Sequence, residues 1–195
     1  MTGAQVLRAG EHRRMEWANG GGTTYEVIAS PDGASPGDVD WRISLADIER
    51  SGPFSTLPGI DRILVVSEGE GMDLTVDGRT TSLARLEPIA FAGESTTACT
   101  LTSGPTRDLN VMVRRGVVTA TLDVVRLSDG PLTTDAHTPT VVVVVVVVLQ
   151  GACQVESAGV LGLGPRDALV APASGRWLGD ATLAVVTVRH APATP

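Results

Sequence analysis

His12, His137 and His190 are the only imidazoles in the chain, and each stands alone, so no paired spacing offers a zinc or iron two nitrogens. No Gly-x-Ser-x-Gly segment presents a nucleophile, and Ser44, Ser55 and the threonines have no histidine near them in sequence. Asp61, Glu68 and Asp108 leave a carboxylate-only cation site open. The triplet in "WANGGGTTYE" invites a phosphate-loop reading. That chemistry needs a Lys-Ser or Lys-Thr pair at a helix start, yet all fifteen basic residues are arginine and Thr23 onward reads as a strand. The spacing is not Gly-x-Gly-x-x-Gly either. What these glycines offer is backbone that allows close approach, as a strand-entry turn or as a pocket rim with Trp17 and Asn19.

Strands must position whatever chemistry there is. Trp41, Ile43 and Leu45 alternate with Arg42 and Ser44; Leu109, Val111 and Val113 alternate with Asp108, Asn110 and Met112; Tyr25 and Val27 alternate with Thr24 and Glu26. Each strand thus carries one apolar and one polar face. The polar faces either look at water, as on any antiparallel sheet, or line a barrel mouth where a small ligand sits. Leu45 to Arg50 is the only segment that reads as a short helix.

Composition agrees with an all-β chain: Val, Thr, Gly and Pro are abundant, and the Glu, Lys and Gln that fill helix surfaces are few. A length of 195 residues suffices for one large β domain or two small ones. The net charge of −7, with no basic block, argues against nucleic acid or an anionic membrane as partner. No basic start followed by an apolar run marks a secretory signal, so the cytoplasm is expected. Cys99 and Cys153 read as two buried free thiols.

The run of eight valines from Val141 to Val148 is far shorter than the roughly 20 residues of a membrane helix and reads as a buried strand. Its identical side chains leave the register open. Around it the order is apolar strand, Gly151, alternating strand, turn, Asp167, apolar strand. The same order runs through Ile63 to Val66, Gly69, Met72 to Val76, the Asp77-Gly78 hairpin and Glu87 to Phe91. This weak internal repeat predicts two β-barrel units in tandem, residues 1–125 and a degenerate 126–195, with strands shared between them. The stretch "LVVSEGEGMDLTVDG" resembles the cupin superfamily, whose fold is a double-stranded β-helix. Where many cupins place metal ligands this chain has Gly59-Ile60-Asp61-Arg62, so no metal and no cofactor are expected.

Four further blocks, "WANGGGTTYEV", "WRISLADIERSGPFSTLPGIDR", "FAGE" and "GPTRDLNVMVRR", resemble in order and spacing the signature stretches of the HutD/Ves family, over about residues 5 to 127. The matched positions are Trp17, Asn19, the glycines 20 to 22, Thr24 and Glu26, then Trp41, Arg42, Ser44, residues 52 to 55 and 59 to 62, then Phe91, Gly93, Asp108, Asn110 and Met112. Leu57 stands where the family more often has an aromatic. The resemblance implies a bicupin fold, no required metal, and an accessory role in bacterial histidine utilisation or, in Ves-like members, in stress. Urocanate or formylglutamate are its suggested ligands.

On this reading the first unit binds a small carboxylate, as a monomer or homodimer. Arg42 or Arg62 is the anion clamp, since guanidinium grips a carboxylate with two parallel hydrogen bonds and keeps its charge. Asn19, Thr24, Ser44 and Asn110 orient the ligand; Trp17, Phe91 and Met112 form the apolar wall; Glu26, Asp61 and Asp108 hold the arginines. Ion pairs that merely tie strands together are the competing reading. A metal-independent isomerase or lyase with Glu26 as base is the alternative function, and an empty scaffold the third.

Overall fold

A computed structural model of the chain describes residues 4–133, 138–156, 160–170 and 174–192. His137 lies outside the described residues. Among the described residues strands carry the chain, with one short 3-10 turn at Ala9–Glu11. Among the described residues no helix is long and apolar enough to cross a membrane.

The chain divides into two compact units, Arg13–Val118 and Met1–His12 with Thr119–Pro195. In the second unit β1 is Gln5–Leu7; in the first, β2 is Arg13–Glu16, β3 Gly22–Ser30, β4 Trp41–Ile48 and β5 Gly52–Pro53. The first unit continues with β6 (Ile60–Glu68), β7 (Met72–Val76), β8 (Arg79–Leu83), β9 (Pro88–Ala92), β10 (Thr97–Leu101) and β11 (Thr106–Arg114). The second resumes with β12 (Val118–Thr133), β13 (Val141–Glu156), β14 (Val160–Leu163), β15 (Ala168–Val170) and β16 (Ser174–His190).

The division differs from the 125/126 boundary read from sequence in two ways. It falls at 118/119, because β12 runs unbroken across residue 125 and lies beside β16. And the first twelve residues leave the N-terminal unit. The strand β1 pairs antiparallel with β15, and Asp167 fastens the segment that follows: Oδ1 accepts from the Ala9 N–H at 2.9 Å and Oδ2 from the Arg8 guanidinium at 2.7 Å.

In the first unit a six-stranded antiparallel sheet, β2-β3-β4-β11-β6-β9, faces a four-stranded one, β5-β10-β7-β8. Ile48, Leu64 and Val66 of the larger sheet meet Met72, Leu74, Leu83 and Cys99 of the smaller, a sandwich core built from alternate residues of each strand. The Asp77-Gly78 hairpin forms as the sequence predicts, with Val76 opposite Arg79 and both turn residues at positive φ. The expected helix over Leu45 to Arg50 does not form. Those residues carry β4 on to Ile48, because hydrogen-bonding edges of β3 and β11 lie on either side, and pairing overrides a weak local preference.

In the second unit the sheet order is β1-β15-β13-β16-β12, with β14 on β13. The valine run is the first half of β13; its residues from Val144 to Val148 are fully buried. Val144, Val146 and Val148 pack with Leu169, Leu183 and Trp177 in one core. Gly151 does not end the strand as a turn. It sits at φ +73° inside β13, and a Cβ there would lie 2.1 Å from the Asp180 carbonyl, so it bends the long strand where its counterpart Gly69 separates β6 from β7. Both cysteines are free and buried.

Candidate functional site

Register places the chemistry. In the row across β4, β11 and β6, Arg42 opposes Met112 and Met112 opposes Arg62; in the next row Glu26 opposes Ser44 and Ser44 opposes Asn110. Side chains directly opposite share a face, so the polar faces of four strands converge on one side of the large sheet. They face inward: Arg42, Ser44, Arg62, Asp108 and Asn110 are all buried. Of the two readings left open by alternation, the solvent-facing one is therefore overturned. The opposite face of β4 is covered too, with Trp41, Ile43 and Leu45 buried.

These residues line a cavity of about 420 Å³ together with Trp17, Asn19, Thr24, Met112, Met15, Ala46, Phe54 and Leu57. Nine of the twelve residues singled out from sequence lie on its wall: Trp17, Asn19, Thr24, Arg42, Ser44, Arg62, Asp108, Asn110 and Met112. Glu26 and Phe91 stand behind it, each against an arginine. Asp61 is elsewhere. Its neighbour Arg62 points inward, so Asp61 points out, where it accepts from the Arg115 guanidinium at 2.5 Å. Met15, Ala46 and Phe54 were missed as lining residues; Ala46 was legible, being two residues beyond Ser44 on the same face.

The glycine triplet is both turn and rim. The Trp17 N–H bonds to the Gly22 carbonyl at 3.0 Å, and Asn19 Oδ1 accepts from the Gly21 N–H at 2.9 Å, which closes the turn and holds Trp17 and Asn19 at the cavity wall. Trp17 is fixed further by its indole N–H, donated to Thr24 Oγ1 at 2.8 Å. A Cβ on Gly22 would come within 2.2 Å of the Asp47 carbonyl. Gly22→Ala is expected to lower stability by about 2 kcal/mol or more, because two paired strands must separate. Gly52→Ala, where nothing lies within 4 Å, is the control and stays within about 0.5 kcal/mol of the parent. Urea midpoints of the two variants check this.

The two inward arginines are in different states. Arg42 is spent: its Nε donates to Glu26 Oε2 at 2.6 Å, and Arg13 holds Glu26 Oε1 at 2.9 Å. With both oxygens occupied and its side chain behind the wall, Glu26 is not placed to act as a base in the cavity, which corrects the assignment made for the enzyme alternative. Arg62 lies between the rings of Phe54 and Phe91, each centroid 5.0 Å from the guanidinium carbon. Phe91 opposes Arg62 across β6 and β9, so it serves as the arginine's platform instead of the apolar wall expected of it. Among the described residues Arg62 forms no salt bridge, and its Nε makes no hydrogen bond. Burial pushes its pKa down to about 10, with Asp108 opposing and Arg42 reinforcing, so it stays charged at neutral pH.

Asp108 does not hold Arg62 in the way expected. Among the described residues neither of its oxygens has a hydrogen-bond partner, and Asn110 Oδ1 is likewise unpaired. Burial raises its pKa to about 7, with the Arg62 charge pulling the other way. The carboxylate-only cation site does not assemble either: Asp61 is held by Arg115, Glu68 by Arg107 at 2.6 Å, and Asp108 is left apart. Among the described residues no three His, Cys, Asp or Glu side chains cluster for a metal. His12 and His190 belong to the other unit.

Similarities to known proteins agree with this architecture. A protein encoded in the hutC 3′ region of Pseudomonas putida is 45% identical over 113 residues, 57% of this chain and 59% of that protein. The protein Ves of Cronobacter sakazakii is 32% identical over 83% of this chain and 79% of its own length. The alignment with the first of these relatives thus spans about three-fifths of its length. Among solved structures, HutD from Pseudomonas fluorescens, in a formate condition, is 32% identical with a TM-score of 0.79 over 97% of this chain and all of that one. A conserved protein of unknown function from Pseudomonas aeruginosa is 30% identical with a TM-score of 0.85 over 96% of this chain and all of that one. A nickel-bound bacterial pirin from Escherichia coli, 12% identical with a TM-score of 0.66 over 96% of this chain and all of its own, shares the cupin-like β fold. The HutD family model matches residues 9–186, and the chain belongs to the HutD family.

Proposed function

We propose that the cavity of the N-terminal unit binds a small carboxylate and that the protein is a non-catalytic accessory factor of histidine utilisation, with acids such as urocanate and formylglutamate as its ligands. One observation carries the reading: Arg62 is a buried charge facing a cavity, stacked between two rings, with no salt-bridge partner among the described residues. A buried charge without a partner is costly, and an incoming carboxylate relieves that cost. Ser44 and Asn110 sit in the row beside it as neutral hydrogen-bonding groups, and Met112 and Trp17 supply apolar surface. The position of the Pseudomonas putida relative in a hut region supports the pathway assignment. The competing structural role fits Arg42, Glu26 and Arg13, which pair among themselves, and does not fit Arg62.

Thermal denaturation with each acid tests the proposal. At a hundredfold excess over Kd, mass action adds about 2.7 kcal/mol, a rise of roughly 5 to 10 °C for a chain of this size at about 2–4 °C per kcal/mol. Arg62→Met keeps an unbranched apolar side chain at this position without the charge and is expected to abolish the rise. A rise that survives in Arg62→Met, or none with either acid, would sink the reading.

A second reading rests on Asp108. A buried carboxyl in a cavity with a pKa near neutrality is what a general acid or base requires, so a metal-independent isomerase or lyase would use Asp108 and not Glu26. Mass change of either acid on long incubation, lost in Asp108→Asn and kept in Ser55→Ala, would favour it.

A further inference from the structure

We propose that Asp108 meets a bound acid as a neutral carboxyl group, donating its O–H to an anionic oxygen of the ligand, so that the cavity takes up a proton with each carboxylate it binds. This rests on the carboxylate reading above and adds the protonation state of the residue beside the clamp.

The geometry sets Asp108 apart from the other acids of the unit. Glu26, Asp47, Asp61 and Glu68 each accept from a guanidinium, whereas Asp108 is 1% exposed, lines the cavity, and among the described residues bonds to nothing through either oxygen. An ionised carboxylate so placed has lost its water and gained no donor, which leaves the protonated form as the economical one. The groups that act on it are few. Arg62 from β6 favours its charge; Asp47 from β4 disfavours it; Cys99 from β10, across the sandwich, is a buried thiol whose pKa is itself raised by that burial. Arg42 acts on Arg62 as a like charge.

A ligand carboxylate drawn to Arg62 brings a second negative charge to the same cavity, close to the buried Asp108. Two adjacent carboxylates do not both stay ionised, and the one without other partners takes the proton. The ligand enters as an anion, a buffer acid gives up H⁺ by breaking its own bond to hydrogen, Asp108 takes that proton into one O–H bond, and no bond of the ligand changes. Once neutral, Asp108 is a donor at hydrogen-bonding reach of the cavity, and the ligand's two oxygens are shared between it and the Arg62 guanidinium.

Linkage fixes the direction of the pH effect. With Asp108 at about 7 in the free protein and higher in the complex, affinity rises as pH falls towards about 7 and levels off below. Calorimetric titration of formylglutamate and of urocanate into the full chain, near pH 7.5, in phosphate and in Tris, measures the proton directly. The two buffers absorb very different heats on giving up H⁺, so the apparent enthalpies must differ by an amount corresponding to uptake of up to one proton per ligand. In Asp108→Asn the amide N–H stands where the O–H would, and binding is expected to persist with equal heats in the two buffers and no slope with pH. Equal heats in the parent protein, or proton release, overturn the inference while leaving the carboxylate reading intact. So does the same uptake in Asp108→Asn. Absence of binding by both acids overturns both, and the buffer comparison on the parent protein needs no variant to fold.

Discussion

Glu26→Leu will lower the stability of the protein by about 3 to 5 kcal/mol at neutral pH, although no ligand is involved. The Glu26 and Arg42 side chains are 6% and 5% exposed, and their 2.6 Å bond is the only salt bridge that Arg42 makes among the described residues. Removing the carboxylate strands a guanidinium that is 5% exposed, and breaking a buried pair from one side costs this much because the remaining charge is uncompensated. Arg13, the outer partner of Glu26, is half exposed and can turn to water, so it adds little. The mechanism makes a second, sharper claim: Glu26→Leu combined with Arg42→Met should recover most of the loss, since an apolar pair of similar volume replaces the ion pair at small net cost. Urea denaturation of the three variants reads both effects. A single variant within about 1 kcal/mol of the parent, or a double variant no better than the single, contradicts the assignment.

Asp108→Asn works in the opposite direction and is visible only through pH. The ordinary carboxyl value of 3.8 rises to about 7 in the folded chain, first through burial, so between those values the native state holds a proton that the unfolded chain has released. Stability therefore falls as pH rises from about 4 to about 7 and is level above, by at most about 4 kcal/mol for this group. The asparagine variant lacks this slope. It should match the parent near pH 4 and exceed it increasingly up to pH 7.5, with part of the gain offset because Arg62 loses the charge that favours its own ionised form. Thermal midpoints across that range decide it, and a difference that is flat with pH contradicts a raised Asp108.

These two acids explain how far the candidate site could be read from sequence. Alternation alone put Arg42 and Ser44 on one face of a strand and Asp108, Asn110 and Met112 on one face of another, and these five do line one cavity. It also carried the information that Asp61 could not accompany Arg62, since adjacent residues of a strand point opposite ways. The roles of Glu26 and Asp108, both acids on inward faces, were not separable by pattern. One lies within reach of two guanidinium groups and the other of none at hydrogen-bonding distance, and that depends on where long side chains end once β3, β4, β6 and β11 are laid side by side.

Local chemistry determined a good deal. Strand periods, the Asp77-Gly78 turn, the burial of both cysteines and the absence of lysine from the glycine loop each follow from residue types and spacings of a few positions, and they fixed an all-β chain without a phosphate loop. Long-range pairing decided the rest. Eight identical valines cannot encode a register, so the partners on either side, β15 and β16, the latter with shifts after Val141 and after Val148, set which of them face the core. The pairing of β1 with β15 joins the chain's first residues to its last third, and no local signal reports so distant a neighbour. Whether a polar face meets bulk water or lines a cavity is likewise a property of the opposing sheet, and that sheet exists only when the chain is folded.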